Sequence, residues 1–229
     1  MPCPGHRSCD HPGVTTPTSL PTDLTIVPLT PDRLPDLASL FDQPGDPKWC
    51  WCAAFYLHRR VKGVPPSVNR AIFEEHARAD RPPGLIAYRT DRAVGWVSVG
   101  PRASYDKIAG SRALAAIGGS DVWSVVCFVV ARRERGQGIA RALLRAAAVF
   151  AREHGATTLE AYPFDAAGGR IPAPNAYKGS LAMFREAGFV LVGHLPHAVN
   201  TLERPVVRLD LGDDRGSGST GTRATGSSI

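Results

Sequence analysis

The segment from Val122 to Ala147, VWSVVCFVVARRERGQGIARALLRAA, constrains this chain more than any other. From Val122 to Ala131 it carries no charge and is rich in Val, Phe and Trp, which predicts a buried β-strand. From Ile139 onward, Leu143, Leu144, Ala147 and Phe150 recur at three- and four-residue steps, the period of an amphipathic helix. Arg141, Arg145 and Arg152 take its other face, and Gly155 stands where a helix commonly ends. Between strand and helix runs Arg135-Gly136-Gln137-Gly138-Ile139-Ala140. A helix start presents amides with no partner and the positive end of the macrodipole. Glycines there let the phosphates of a ligand approach the backbone, so the segment is read as a cradle for a diphosphate.

Two phosphate loops are excluded on residues. A Walker loop ends in Gly-Lys-Ser/Thr, whereas Gly138 precedes Ile139. The dinucleotide fingerprint needs a third small residue where this chain has Arg141.

The loop resembles motif A of the GNAT superfamily of acyl-CoA N-acyltransferases, Arg/Gln-x-x-Gly-x-Gly/Ala. It fits as Arg133-x-x-Gly136-x-Gly138 or as Arg135-x-x-Gly138-x-Ala140. The second register is preferred, since Leu143-Leu144 then matches the apolar pair that continues the family's helix. Ser180-Leu-Ala-Met-Phe-Arg-Glu-Ala-Gly188-Phe189 resembles the family's motif B helix, with Gly188 closing the helix and Phe189 opening a strand. The resemblance implies an α/β (α+β) GNAT fold: a mixed sheet of about seven strands flanked by helices and splayed between strands 4 and 5. It implies acetyl-CoA as co-substrate, bound by Phe128, Val129, Val130, Arg135, Gly136, Gln137, Gly138, Ile139 and Ala140. The implied activity is transfer of an acetyl group to a primary amine by direct attack, the acceptor being a small molecule. A protein or peptide acceptor and a non-catalytic acyl-CoA-binding module are the alternatives.

Motif B departs from the family at two places. Phe184 stands where many members have a tyrosine able to protonate the leaving thiolate, and Tyr177 where the pattern has asparagine. Tyr177 therefore becomes the candidate acid, while Ser180 reads as a helix cap. An amine near neutral pH must lose a proton before it attacks. Glu160 is the candidate base, on a strand expected over 157–163, sharing a face with Thr158 and Tyr162. Asp165, His194 and His197 are weaker candidates. Trp49, Trp51, Phe55, Tyr56, Trp96 and Tyr105 are nominated for the acceptor pocket; core packing is the competing reading, favoured for Trp51 and Phe55.

At 229 residues and 43% hydrophobic content the chain can bury one core. Residues 1–22, rich in Pro, Thr and Gly, read as a disordered extension, 23–211 as the catalytic domain, and 212–229 as a Gly/Ser-rich tail. Cys3, His6, Cys9 and His11 match no zinc spacing, so no metal is expected. Cys50 and Cys52 would point to opposite sides of a helix, and Cys127 reads as a small buried hydrophobe. The net charge of +6 includes six arginines against one glutamate between 131 and 152. Without interleaved aromatics these suit CoA phosphates better than nucleic acid. No signal peptide or membrane segment is read, so a cytoplasmic address is expected, and a homodimer stays open. Beyond the strands, helices are expected at 31–41, 49–60, 67–80, 138–154 and 176–187, with a flexible loop over 101–120.

Overall fold

The computed structural model describes residues 23–43, 48–57, 64–119, 121–165, 169, 171–172, 176–196 and 202–212. Cys3, His6, Cys9, His11 and His197 lie outside these residues. Seven strands form one sheet: β1 (Leu24–Pro28), β2 (Gly84–Arg89), β3 (Arg92–Pro101), β4 (Val122–Val130), β5 (Thr158–Ala161), β6 (Val190–His194) and β7 (Pro205–Asp210). Their spatial order is β1-β2-β3-β4-β5-β7-β6, and β4 with β5 is the parallel pair. The helices are α1 (Leu34–Phe41), α2 (Ala53–Tyr56), α3 (Pro66–Ala77), α4 (Asp106–Ala109), α5 (Arg112–Ile117), α6 (Ile139–Glu153) and α7 (Leu181–Glu186).

Each face of the sheet carries its own core. One contains Leu37, Phe41, Trp51, Phe73, Trp96, Tyr105, Val126, Cys127 and Val129, and draws on α1 to α5. The other contains Val97, Val125, Phe128, Ile139, Leu143, Leu144, Phe150, Leu159, Met183 and Phe184, and draws on α6 and α7. Helix α6 buries the stripe read from its periodicity, Ile139, Leu143, Leu144, Ala147 and Phe150, and with it Ala142 and Ala151. It approaches β3 closely because Gly95 has no side chain. A Cβ there would stand 2.9 Å from Ile139 and 3.0 Å from Leu143.

The central strands separate at a defined point. Only Val122–Val125 of β4 pair with Thr158–Ala161 of β5, while β4 continues to Val130 against β3 alone. Val126 is an extra residue in the β3–β4 ladder, because Ser98 pairs with Cys127 and Val99 with Val125. This bulge interrupts the alternation of side chains, so Val126 and Cys127 both enter the first core and Phe128 returns to the second. A gap therefore opens beside residues 126–130.

Several expected boundaries are corrected. In the stretch 49–60, Lys48–Cys52 is a turn and the described helix is only α2, because Trp51 and Cys52 take left-handed φ of 43° and 56°. The chain from 101 to 120 is not a plain loop: a 3-10 turn at Arg102–Ser104 precedes α4 and α5. Helix α3 starts at Pro66 with Pro65 as N-cap, so Ser67 lies inside it and does not cap it. The helix expected over 176–187 is interrupted at Gly179, φ 77°, and resumes as α7. Its cap is Ser180, whose Oγ accepts the Met183 N–H at 3.2 Å. No helix of the described residues is long and apolar enough to cross a membrane.

Candidate active site

The strand-loop-helix segment forms a cleft of about 320 Å3. Its lining includes Phe128, Val130, Arg135, Gly136, Gly138, Ile139 and Ala140 on one side, and Tyr177, Gly179, Ser180 and Met183 on the other. Gly136 and Gly138 both have left-handed φ, 78° and 79°, which L side chains adopt at an energetic disadvantage. Gly138 is the N-cap of α6 and no side chain caps the helix. The first helical bond runs from Ala142 N–H to Gly138 C=O at 3.0 Å. The amides of Ile139, Ala140 and Arg141 are therefore left without intrahelical partners at the mouth of the cleft. Together with the macrodipole they favour an anion there.

The loop is braced by a buried acid that sequence reasoning passed over. Glu134 is 6% exposed and accepts from Arg89 at 2.5 Å and Arg92 at 2.6 Å, both on the β2–β3 hairpin. Arg89 also reaches Gln137 at 2.8 Å, tying the loop's centre to the same hairpin. Arg135 donates from Nε to the Val130 carbonyl at 3.0 Å. Arg141, read as one of a solvated row, pairs with Glu186 of α7 at 2.8 Å and so links the helices on either side of the cleft.

Along β4 the hydrogen-bond alternation decides which backbone groups face the gap. Ala131 N–H bonds to Val94 C=O, so Val129 also faces β3 while Phe128 and Val130 face away. The Phe128 N–H is taken by Tyr177 C=O at 2.6 Å, which carries residues 176–180 across the opening. Phe184, at the position of the expected tyrosine, is fully buried and packs against Phe128 and Phe189. It belongs to the core and not to the cleft wall.

Glu160 occupies a closed environment. It is 0% exposed; Tyr162 donates to Oε1 at 2.5 Å, and Arg208 donates to Oε2 at 2.7 Å. Arg102 lies 3.5 Å from the same Oε2, and both arginines bond the carbonyl of Gly118. Ser124 Oγ stands 2.8 Å from the Tyr162 hydroxyl. Glu160, nominated as a base on this strand, is therefore a carboxylate with both oxygens engaged, which braces β5 to β7 and to the 102–119 segment. Burial, then the Glu160 charge, pushes the Tyr162 hydroxyl well above its ordinary range. Asp165 is drawn into a β-bridge with Glu203, and His194 lies 3.6 Å from the Glu203 carboxylate.

The nominated aromatics divide. Trp51 and Trp96 are core residues in ring contact with Phe73. Trp49 is exposed. Tyr56 and Tyr105 line a second cavity of about 370 Å3 with His76, at the end of β3 remote from the glycine loop. Phe55 lies beneath Lys178, whose Nζ is 5.5 Å from its ring and 5.5 Å from the ring of Phe164. Lys178 was not singled out from sequence, and no local pattern marks it. Burial, then Arg204 and Lys107, pushes its amine down to about 8. Cys127 is buried against Cys52, and that contact with desolvation pushes its thiol up. Among the described residues, no group of three His, Cys, Asp or Glu is placed to hold a metal ion.

Comparison with known proteins agrees with this geometry. The sequence model of the acetyltransferase (GNAT) family matches residues 49–189. An N-acetyltransferase from Staphylococcus aureus Mu50 is similar in structure, with a TM-score of 0.53 and 17% identity, over 83% of this chain and 100% of that one. A Salmonella typhimurium protein solved with its cofactor acetyl-CoA gives a TM-score of 0.53 at 18% identity, over 85% and 98%. A ribosomal-protein-alanine N-acetyltransferase from Brucella melitensis gives 0.50 at 23% identity, over 81% and 99%. At these identities the likeness concerns the fold. No curated protein matches the sequence.

Proposed function

Because the chain belongs to the acetyltransferase (GNAT) family, we propose that it moves an acetyl group from acetyl-CoA to the primary amine of a small molecule by direct attack. The observation that carries this reading is one cleft that runs from the free amides at the start of α6 to Phe128 and Val130, the part of β4 that does not pair with β5. A diphosphate at the Gly136–Ala140 end leaves the pantetheine arm to run along the Phe128–Val130 edge. The thioester then lies where the strands part. A similar fold binds acetyl-CoA in the Salmonella typhimurium protein.

In the reaction the neutral amine forms a C–N bond to the thioester carbon, the C–S bond breaks, and CoA leaves as thiol. Tyr177 lines the cleft beside Phe128 and Ser180, which makes it the candidate donor of the thiol proton. The amine proton passes to solvent or to a group at the gap. Glu160 can receive it directly only by giving up its bond from Tyr162 or from Arg208. Its contribution in this reading is to hold β5 in place.

Incubation of the purified protein with acetyl-CoA and a panel of small amines, peptides and water alone, with thiol release as the signal, tests the proposal. Amine-dependent release from the small amines is expected. Release with peptides only would move the acceptor class. Tight acetyl-CoA binding without release from any amine would leave a binding module.

A further inference from the structure

We propose that the acceptor is an amine that also carries a carboxylate, and that Lys178 and Arg204 hold this carboxylate on the sheet face opposite the phosphate cradle. The proposal rests on the acetyl-transfer reading for its chemistry, and on an independent feature of the structure for its site.

Residues 176–180 cross the strand gap, fixed at one end by the Tyr177 carbonyl on the Phe128 N–H and at the other by the Phe164–Ser180 bridge. Tyr177 lines the CoA-side cleft. Lys178 reaches the other side, between Phe55 of α2 and Phe164 beyond β5, within the field of Cys127 on β4. The Asp165–Glu203 bridge, next to the Phe164–Ser180 bridge, sets Arg204 beside this crossing, and its charge and that of Lys107 on α4 act on Lys178. Three elements thus bring cations to one place beside the opening.

Neither Lys178 nor Arg204 has a carboxylate partner among the described residues, and both are partly withdrawn from water. Several other cations are paired. Arg89 and Arg92 share Glu134, Arg102 and Arg208 share Glu160, and Arg141 holds Glu186. The connecting stretches 166–175 and 197–201 contain no Asp or Glu in the sequence either. Two neighbouring cations partly removed from water, with no carboxylate partner among the described residues, are unfavourable by themselves. They become favourable when an anion enters, because each then makes a charge-assisted hydrogen bond. Aromatic walls at Phe55 and Phe164 suit a compact apolar body behind the carboxylate. Anchoring the carboxylate on this face directs the amine of the same molecule into the gap, toward the thioester.

The test compares kcat/KM for thiol release, expressed per neutral amine, with a series of amino acids and with their α-carboxamides, which replace the carboxylate by an uncharged group and also lower the amine pKa. The wild type should favour the acids by about 10-fold or more, the scale of one charge-assisted hydrogen bond. In Lys178→Met and in Arg204→Met the acid-to-amide ratio should collapse toward one, through KM for the acids, while Lys178→Arg keeps a preference. Equal values for acid and amide in the wild type overturn the proposal, and so does a ratio that persists in both Met variants. Aminoalkylphosphonates form a third arm; a preference for them over carboxylates overturns the carboxylate assignment. Should no amine support release, calorimetry with N-acetyl amino acids and their carboxamides in the presence of CoA separates the two readings. Acid-selective binding lost in Lys178→Met supports the anion site while the catalytic reading fails; no acid-selective binding overturns the site as well.

Discussion

Lys178→Met should make the unliganded protein more stable at neutral pH, although it removes a side chain from a partly buried position. The amine of Lys178 is pushed down from 10.5 to about 8, by burial first and then by Arg204 and Lys107. At roughly 1.4 kcal/mol per pH unit, protonated Lys178 destabilises the fold by about 3 kcal/mol. The folded value lies below the unfolded one, so between pH 8 and 10.5 the unfolded chain binds more protons. Stability of the wild type therefore rises with pH across that window, relative to a variant that cannot titrate there. Below pH 8 both states are protonated and the full penalty applies. The Met variant should exceed the wild type by about 3 kcal/mol at pH 7, and the difference should shrink to about 1 kcal/mol at pH 10. Titrating groups that do not interact with Lys178 cancel in the difference between the two proteins. The assay is urea denaturation of the pair at pH 7, 8, 9 and 10, followed by far-UV circular dichroism. A difference that stays flat with pH, or a wild type more stable than the variant at pH 7, would refute the claim that this amine is desolvated and uncompensated.

Gly138→Asp places a side chain at a left-handed φ and a negative charge at the start of α6; it should weaken acetyl-CoA at least about 10-fold by calorimetry, the scale of one charge-assisted contact. Unchanged affinity would remove the phosphate cradle from the reading. Glu160→Gln leaves Arg208 and Arg102 beside an uncharged amide in the interior, and urea denaturation should show a loss of about 3–5 kcal/mol. Intact stability with abolished thiol release would restore Glu160 as a base. Tyr177→Phe keeps the ring and removes the hydroxyl; thiol release at saturating acetyl-CoA should slow about 10-fold or more, and unchanged turnover dismisses Tyr177 as the acid.

Local chemistry carried much of what could be read from the chain. A strand rich in Val and Phe, two glycines and an apolar stripe at helical spacing act within about 30 residues, so Val122–Glu153 has the predicted strand, loop and helix. Ser180 likewise caps the helix it precedes. Two of the boundaries that shifted, at Trp51–Cys52 and Gly179, lie where the backbone adopts left-handed φ. Trp and Cys do not announce such geometry, and it is held by packing around them.

The site divides along the same line. Sequence alone determined the start of α6 and its two glycines, and with them the unpaired backbone amides on which the proposed diphosphate cradle rests. It also determined that Phe184 can donate no proton. Tertiary structure decided which charged groups meet. Glu134 finds Arg89 and Arg92 from 45 and 42 residues away, and Glu160 finds Arg208 from 48. Those pairings turn one acid into a loop brace and a second, nominated as a base, into a sheet brace. The bulge at Val126 exists only in the ladder with β3, yet it sets the faces of Val126, Cys127 and Phe128 beside the opening. Lys178 and Arg204 lie 26 positions apart in the sequence and in no pattern. The proposal makes them a site because the fold brings them together with no carboxylate partner for either among the described residues. Periodicity and capping are local energies that a sequence displays directly; the balance of charge in a desolvated place depends on neighbours that only the fold supplies.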